Sequence, residues 1–259
     1  MKRGYADLPE GQMHYLSEGD GPALLLLHAA VTSSGEFARV IPFLSGAYRA
    51  VAPDLLGQGD SDPAPCRYEY LDHARTVLSF MDALGIEKAC IVGHHAGALI
   101  GAELAIAWPE RVDKLVLSGV ALWQTSDGAA VVDPPNFTGQ VEIHADGSHL
   151  MEWWRRAGLW GDPLDLVEER LLEYVKAGPK GEEAHWAGRA YDARPRLPLI
   201  GCPTLVLCGT DDPFYPMAED VKDLIPNSRL TIVEKGPIHI DRVMPEEFAA
   251  AILSFLRAQ

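Results

Sequence analysis

The sequence predicts an α/β domain built on a mostly parallel sheet. Short apolar runs of strand length alternate with longer segments of helical spacing between residues 23 and 117, and the alternation resumes at residue 204. This alternation is typical of right-handed βαβ units. A chain of 259 residues with 47% hydrophobic content can bury one large core. We therefore expect one domain that carries a helical insertion.

The predicted strands are short and apolar. Ala23–Leu27 is five apolar residues in succession, a pattern that is typical of a strand buried on both faces of a parallel sheet. The other strands are expected at Met13–Leu16 as an early antiparallel strand, Tyr48–Ala52, Ala89–Val92, Lys114–Leu117, Thr204–Leu207 and Arg229–Val233.

The predicted core helices follow these strands. Pro42 is expected to kink the first helix or to end it early, because proline lacks the N–H that a helix interior needs. Gly85 is expected to cap the second helix at its carboxyl end. The helices are expected at Glu36–Leu44, Tyr70–Leu84, the stretch after Gly97, Ala218–Leu224 and Glu246–Leu256.

The alternation stops between Trp123 and Leu197, where the spacing is helical throughout. Helices are expected at Met151–Arg156, Leu164–Lys176 and Glu182–Ala193. Most of the tryptophans fall in this segment, which favours an apolar, partly aromatic roof over a pocket. They are five of the six in the chain: Trp123, Trp153, Trp154, Trp160 and Trp186.

Composition excludes some classes of partner. The net charge of −15 argues against nucleic acid or an anionic membrane surface. No apolar stretch approaches the roughly 18 residues of a membrane span, and no signal-peptide pattern opens the sequence, so a cytoplasmic protein is expected. The four cysteines form no CxxC pair, which argues against a metal site or a disulfide framework.

The most informative stretch joins a buried strand to a helix through a sharp reversal. The reversal is Gly93-His94-His95-Ala96-Gly97, with His95 at its centre. Glycines on both sides relieve the crowding of such a tight turn. The segment resembles the G-x-S-x-G nucleophile elbow of the α/β-hydrolase fold, with His95 in the place of the serine.

Three further motifs occur in the order of that family. His28-Ala29-Ala30 resembles its H-G-x turn, which implies an oxyanion hole formed by the N–H groups of Ala30 and Ala96. The loop after Asp54 is similar to its D-x-x-G-x-G-x-S loop and is expected to be architectural. The stretch from Gly209 to Pro216 resembles its G-x-x-D-x-x-x-P motif.

This last motif implies Asp212 as the catalytic acid, with Asp211 as the alternative. His239 is the histidine in the loop after the last strand, where the family carries its catalytic imidazole. The resemblance therefore implies that Asp212 orients His239 and that both act with His95.

The resemblance also implies the overall plan. It implies an eight-stranded, mostly parallel sheet flanked by helices, with a core at residues 1–121 and 197–259 and a helical cap at residues 122–196. It further implies a hydrolase without cofactor or metal that acts on an ester, a lactone or a related carbonyl compound. The expected substrate is a small apolar or aromatic molecule, and the sequence leaves a homodimer open.

The histidine at the elbow leaves three interpretations open. His95 attacks the carbonyl and forms a labile acyl-imidazole, or it acts as a general base on water or on a substrate proton. A base would serve a C–C bond hydrolase or a lyase equally well. In the third interpretation the scaffold binds a ligand without turnover, because a fold does not guarantee a function.

Overall fold

The computed structural model describes residues 1–122, 141–178 and 181–258. Within them, one sheet runs in the order β1-β2-β4-β3-β5-β6-β7-β8. The pairs β1–β2 and β2–β4 are antiparallel, and all other pairs are parallel, which confirms the predicted eight-stranded, mostly parallel sheet. The strands are β1 (Lys2–Leu8), β2 (Gly11–Glu18), β3 (Ala23–Leu27), β4 (Arg49–Pro53), β5 (Ala89–His94), β6 (Val112–Ser118), β7 (Thr204–Asp211) and β8 (Ser228–Pro237).

The first strand is absent from the sequence-based prediction. Strand β1 lies at the edge of the sheet, and Ala6 is its one fully buried residue. An edge strand needs few apolar residues, so its sequence carries no apolar run that would identify it. Its pairing with β2 defines it instead.

The described helices are α1 (Ile41–Leu44), α2 (Tyr70–Ala83), α3 (Ala96–Ala107), α4 (Ser148–Ala157), α5 (Leu164–Ala177), α6 (Glu182–Ala190), α7 (Ala218–Leu224), α8 (Ile240–Val243) and α9 (Pro245–Arg257). The expectation of one helix over Glu36–Leu44 is wrong. A 3₁₀ turn at Ser34–Phe37 precedes α1, and Pro42 lies in the first turn of α1. In that position its missing N–H costs no helical hydrogen bond.

The core has two halves, one on each face of the sheet. Leu25 and Leu27 of β3 pack with residues of α2 and α3, whereas Leu24 and Leu26 pack with residues of α1 and α9. Successive side chains of a strand point to opposite faces, so an all-apolar strand fits only where helices cover both. The core position predicted for Ala23–Leu27 is confirmed.

Helices α4 to α6 lie between β6 and β7 in the chain, and we call them the inserted helices. They pack on the core through an apolar cluster that includes Val31, Trp153, Val167 and Tyr174. Parts of the predicted cap, with Trp123, lie outside the described residues. The proposed boundaries at 122 and 196 and the capping role stay predictions. No described helix has both the length and the apolar character that crossing a membrane requires.

Candidate active site

The elbow joins β5 to α3 at the carboxyl edge of the sheet. His95 adopts φ 48° and ψ −109°, a strained backbone conformation for a residue with a side chain. A Cβ atom on Gly93 would collide with the carbonyl of Gly97, and one on Gly97 would collide with the carbonyl of Leu27. Both glycines are therefore needed for the close approach of strand, helix and neighbouring strand, as the sequence predicts.

The imidazole of His95 contacts Asp212. Its Nε2 lies 3.1 Å from Asp212 Oδ2, and the N–H of Phe214 donates to Asp212 Oδ1 at 2.7 Å. Burial acts to raise the pKa of Asp212, but the His95 imidazole and the Phe214 N–H hold it below its ordinary value. Asp212 is therefore an ionised carboxylate near neutral pH.

This charge determines which nitrogen of His95 is protonated. A carboxylate can only accept a hydrogen bond, so Nε2 carries a proton and donates it to Asp212. In the neutral ring the lone pair then lies on Nδ1, which has no hydrogen-bond partner within the described chain. The His95 side chain is 16% exposed, whereas that of Asp212 is 2% exposed. Nδ1 is thus the nitrogen of His95 that stays without a partner in the described chain.

Gly119 provides the space for the His95 ring. It follows β6 in the left-handed region at φ +61°, and a Cβ atom there would lie 2.5 Å from His95 Nε2 and 2.9 Å from Asp212 Oδ2. Sequence reasoning missed this residue. A glycine after a strand is a recognisable signal for a turn, but nothing in the sequence shows which side chain it faces.

His94 packs against the His95 ring. The two rings are stacked, with centroids 4.1 Å apart and planes inclined by 28°. His94 Nε2 lies 2.9 Å from the Ile238 carbonyl and Nδ1 lies 3.1 Å from Ser118 Oγ, which fixes the ring at both nitrogens. Burial, with a contribution from His95, lowers the pKa of His94 to about 4. His94 is therefore a neutral, buried support.

One predicted oxyanion donor, Ala96, lies in the elbow, and the other, Ala30, lies in the turn after β3. Ala96 is the first residue of α3, where a helix leaves its N–H groups without helical partners. Neither the Ala96 nor the Ala30 N–H donates to another group of the described chain. Their joint role as an oxyanion hole stays a prediction.

The turn that carries Ala30 is held in a fixed conformation. The N–H of Ala29 donates to the buried Glu36 carboxylate at 3.2 Å, and His28 Nδ1 lies 2.7 Å from the Ala29 carbonyl. Val31, the next residue, has φ 60°, which is rare for a β-branched side chain. The surrounding contacts therefore maintain a strained backbone directly beside Ala30.

His239 is paired with a different aspartate, Asp162. Its Nδ1 is 2.8 Å from Asp162 Oδ2, and Arg170 Nη1 lies 3.2 Å from the same oxygen. Burial, with a contribution from the Arg170 cation, lowers the pKa of His239 to about 3. The expectation that Asp212 orients His239 is therefore wrong. The His95 imidazole contacts Asp212, and Asp162, which lies between α4 and α5, contacts His239. Asp162 has no motif by which the sequence could have revealed it.

Two groups of side chains have donor atoms close enough to hold a metal ion. They are His14, Asp54 and Asp60, and Glu36, His94 and Asp241. Hydrogen bonds within the protein already use many of these atoms. Asp54 accepts from the N–H groups of Ser34 and Asp60, and both nitrogens of His94 are occupied as described above.

Comparison with known proteins identifies the fold family. The family model described as the alpha/beta hydrolase fold matches residues 22–239. The chain belongs to the α/β-hydrolase fold family. The match includes the H-G-x-like turn, the elbow, the strand that leads to Asp212 and the loop that carries His239.

Several relatives resemble this hydrolase over most of its length. A 2-hydroxy-6-oxo-6-phenylhexa-2,4-dienoate hydrolase of Comamonas testosteroni is 28% identical and covers 97% of this chain and 93% of its own. A 2-hydroxy-6-oxononadienedioate/2-hydroxy-6-oxononatrienedioate hydrolase of Paraburkholderia xenovorans is 30% identical over 80% of this chain and 77% of its own. The enol-lactonase structure from Burkholderia xenovorans LB400 is 24% identical, with a TM-score of 0.81 over 98% of this chain and 100% of that one.

The predicted enzyme class is confirmed by these relatives: the protein is a hydrolase. Within this hydrolase the predicted His95 and Asp212 are in contact, while His239 contacts Asp162. Gly119 lies directly beside the His95 ring.

Proposed function

We propose that this hydrolase cleaves an ester, a lactone or a related carbonyl compound with His95 as general base. One observation carries the proposal: Nε2 of His95 lies 3.1 Å from the buried carboxylate of Asp212, while Nδ1 has no partner in the described chain. A base needs an unprotonated nitrogen that is accessible and whose charged form is stabilised. This arrangement meets those requirements.

In the proposed reaction, Nδ1 of His95 removes a proton from water as its oxygen bonds to the substrate carbonyl carbon. The negative charge of Asp212 stabilises the imidazolium that results. The N–H groups of Ala30 and Ala96 donate hydrogen bonds to the carbonyl oxygen and stabilise the negative charge that develops on it. When the tetrahedral intermediate collapses, the imidazolium returns the proton to the departing alkoxide or enolate, and a carboxylic acid and an alcohol or enol are released.

The identity of the free nitrogen supports base catalysis over covalent attack. Nδ1 is bonded to Cγ, which carries the Cβ branch, so an acyl group on Nδ1 would be crowded by the residue's own side chain. A proton transfer to Nδ1 meets no such crowding. His94 stacks on one face of the ring and further restricts the space for an adduct.

A second candidate is hydrolysis of a C–C bond. The names of the relatives from Comamonas testosteroni and Paraburkholderia xenovorans favour it, since both are hydrolases of 2-hydroxy-6-oxo dienoic acids. A base that activates water serves this reaction as well.

The apolar or aromatic character of the substrate, the cytoplasmic location and a homodimer stay predictions.

The test compares wild type with His95→Ala on aryl acetates, small lactones and a 2-hydroxy-6-oxo-2,4-dienoate. Loss of a general base should lower kcat by about 10²- to 10⁴-fold on the true substrate class. The matched control is His144→Ala, since His144 is exposed and should leave turnover unchanged. Equal rates for His95→Ala and wild type would contradict the proposal and favour ligand binding without turnover.

Mass spectrometry separates the two catalytic roles. With a slowly hydrolysed aryl ester, base catalysis predicts an unmodified His95 throughout turnover. An acyl adduct on His95 that forms and decays at the rate of turnover would instead assign it as the nucleophile.

A further inference from the structure

A buried carboxyl group contacts the turn that carries Ala30. Glu36 belongs to the 3₁₀ turn Ser34–Phe37 and is 1% exposed. Burial, with a contribution from Asp241, raises its pKa, so its surroundings disfavour the charged form. A buried carboxyl group is costly unless its oxygens are hydrogen-bonded. The contacts of these oxygens therefore show which part of the protein Glu36 stabilises.

The hydrogen bonds of Glu36 go to the turn after β3. The N–H of Ala29 lies 3.2 Å from each carboxyl oxygen, and Thr32 Oγ1 lies 2.6 Å from Oε2. In the chain, these two partners precede and follow Ala30 and Val31. Glu36 thus bridges the two ends of the short segment that contains a predicted oxyanion donor.

The peptide group between Ala29 and Ala30 is also held at its carbonyl. The N–H of Leu55 donates to His28 Nε2 at 2.9 Å, so the proton of that ring lies on Nδ1. Nδ1 donates to the Ala29 carbonyl at 2.7 Å. No peptide bond of the described chain is cis, and in a trans peptide the C=O and N–H groups point in opposite directions. The contacts of Ala29 therefore set the direction of the Ala30 N–H.

The segment between these contacts is strained. Val31 has φ 60°, and a β-branched residue keeps such a conformation only where its surroundings hold it. The N–H of Ala30 has no partner within the described chain, so it does not fix its own orientation. That orientation depends on the groups that bind Ala29 and Thr32, and Glu36 binds both.

We propose that Glu36 is a positioning residue that holds the peptide group between Ala29 and Ala30 in the orientation in which the Ala30 N–H serves as an oxyanion donor. The inference rests on the proposed function, in which Ala30 stabilises the charge on the carbonyl oxygen. Glu36 acts through the backbone and does not touch the reacting atoms.

Two substitutions separate hydrogen bonding from charge. Glu36→Gln removes the carboxyl group but keeps an amide oxygen that can accept from the Ala29 N–H, whereas Glu36→Met removes every acceptor. Because one oxyanion donor contributes about 10²- to 10³-fold to kcat, Glu36→Met should lower kcat by about 10²-fold and leave KM within about threefold. Glu36→Gln should keep kcat within about tenfold of wild type. The substrate is whichever of the aryl acetates, small lactones and 2-hydroxy-6-oxo-2,4-dienoate wild type hydrolyses fastest.

Glu103→Met is the matched control. Glu103 is 2% exposed, and Arg196 Nη2 donates to its carboxylate at 2.7 Å, outside the turn. The control should lose stability, measured by urea unfolding, and keep kcat within about threefold of wild type. If Glu36→Met does not fold, Thr32→Val decides, because it keeps the side-chain shape and removes one hydrogen bond to Glu36. It should lower kcat by about tenfold.

Hydrogen exchange gives a measurement that does not need turnover. The Ala29 amide proton should exchange at least about tenfold faster in Glu36→Met than in wild type, and at a nearly unchanged rate in Glu36→Gln and Glu103→Met. The comparison is repeated in a His95→Ala background, which lacks the proposed base.

The two measurements separate the failure of this inference from the failure of the proposed function. If His95→Ala keeps full turnover, the proposed function fails, and exchange still shows whether Glu36 holds Ala29. Where His95→Ala is inactive, a folded Glu36→Met with kcat close to wild type would overturn the inference. Equal exchange of the Ala29 amide in wild type and Glu36→Met would overturn it in either case.

Discussion

The Nε2 atom of His95 lies 3.1 Å from Asp212 Oδ2, so the acid after β7 holds the imidazole of the elbow and not that of the last loop. In a serine triad, the acid orients a separate histidine that activates the nucleophile. Here one side chain stands at the elbow and contacts the acid directly. The proposed nucleophile is therefore water, and the structure leads to four predictions.

Asp212→Asn should lower kcat on the true substrate by about 10²- to 10⁴-fold and leave the fold intact. The amide cannot supply the charge that stabilises the imidazolium, and its N–H₂ group can force the wrong tautomer on His95. Steady-state kinetics give the measurement. Asp211→Asn is the control, because Asp211 is exposed and should behave as wild type. Equal losses in both variants would remove Asp212 from the site.

His239→Ala should affect stability more than turnover. Its imidazole faces Asp162, so its loss should lower the free energy of unfolding by about 1–3 kcal/mol and change kcat by less than about tenfold. Urea unfolding and kinetics measure the two effects. Asp162→Asn should behave similarly, and the double variant should be less destabilised than the sum of both changes. A large fall in kcat with unchanged stability would restore His239 as a catalytic residue.

Gly119→Ala should inactivate the protein by displacing the His95 ring. The new Cβ atom would lie 2.5 Å from Nε2, so the ring must turn away from Asp212, and kcat should fall by about 10²-fold or more. Gly85→Ala is the matched control: Gly85 also has positive φ, at +64°, but a Cβ atom there meets nothing within 4 Å. Both variants bear the same backbone strain, so equal activity in the two would contradict the steric argument.

The pH dependence of stability should reveal the buried Asp241. Burial raises its pKa to about 7, with the Arg242 guanidinium acting in the opposite direction. Below about pH 4 the carboxyl group is protonated in both the folded and the unfolded chain. Between about pH 4 and pH 7 the unfolded chain ionises it while the folded chain keeps the proton. Unfolding then releases a proton, and stability falls as pH rises.

Asp241→Asn removes this contribution. Relative to wild type, the variant should gain stability as pH rises from 4 to 7, with a slope approaching about 1.4 kcal/mol per pH unit, and the difference should level off above pH 7. Chemical unfolding at a series of pH values measures it. The buried Glu36 has a pKa that is raised by burial and by Asp241, so the same comparison in a Glu36→Gln background isolates the contribution of Asp241. A pH-independent difference would show that Asp241 is ionised in the folded protein.

The sequence by itself determined the fold, because the fold depends on local patterns. The apolar run of β3, the glycines around His95 and the motif that ends in Asp212 are each encoded within a few neighbouring residues. The periodicity of strands and helices then limited the possible topologies. The edge strand β1 escaped prediction because its residues are mostly solvent-facing.

The tertiary structure alone decided which side chains meet. The sequence placed Asp212 and His239 in neighbouring loops, but it did not show that the His95 ring would reach Asp212 or that Asp162 would face His239. It also did not show that Gly119 leaves room for that ring. Such contacts join residues that are far apart in the chain. Tertiary packing determines these contacts, and no local sequence pattern encodes them. The motifs therefore identified the fold and the candidate site residues, and tertiary packing decided that His95 pairs with Asp212.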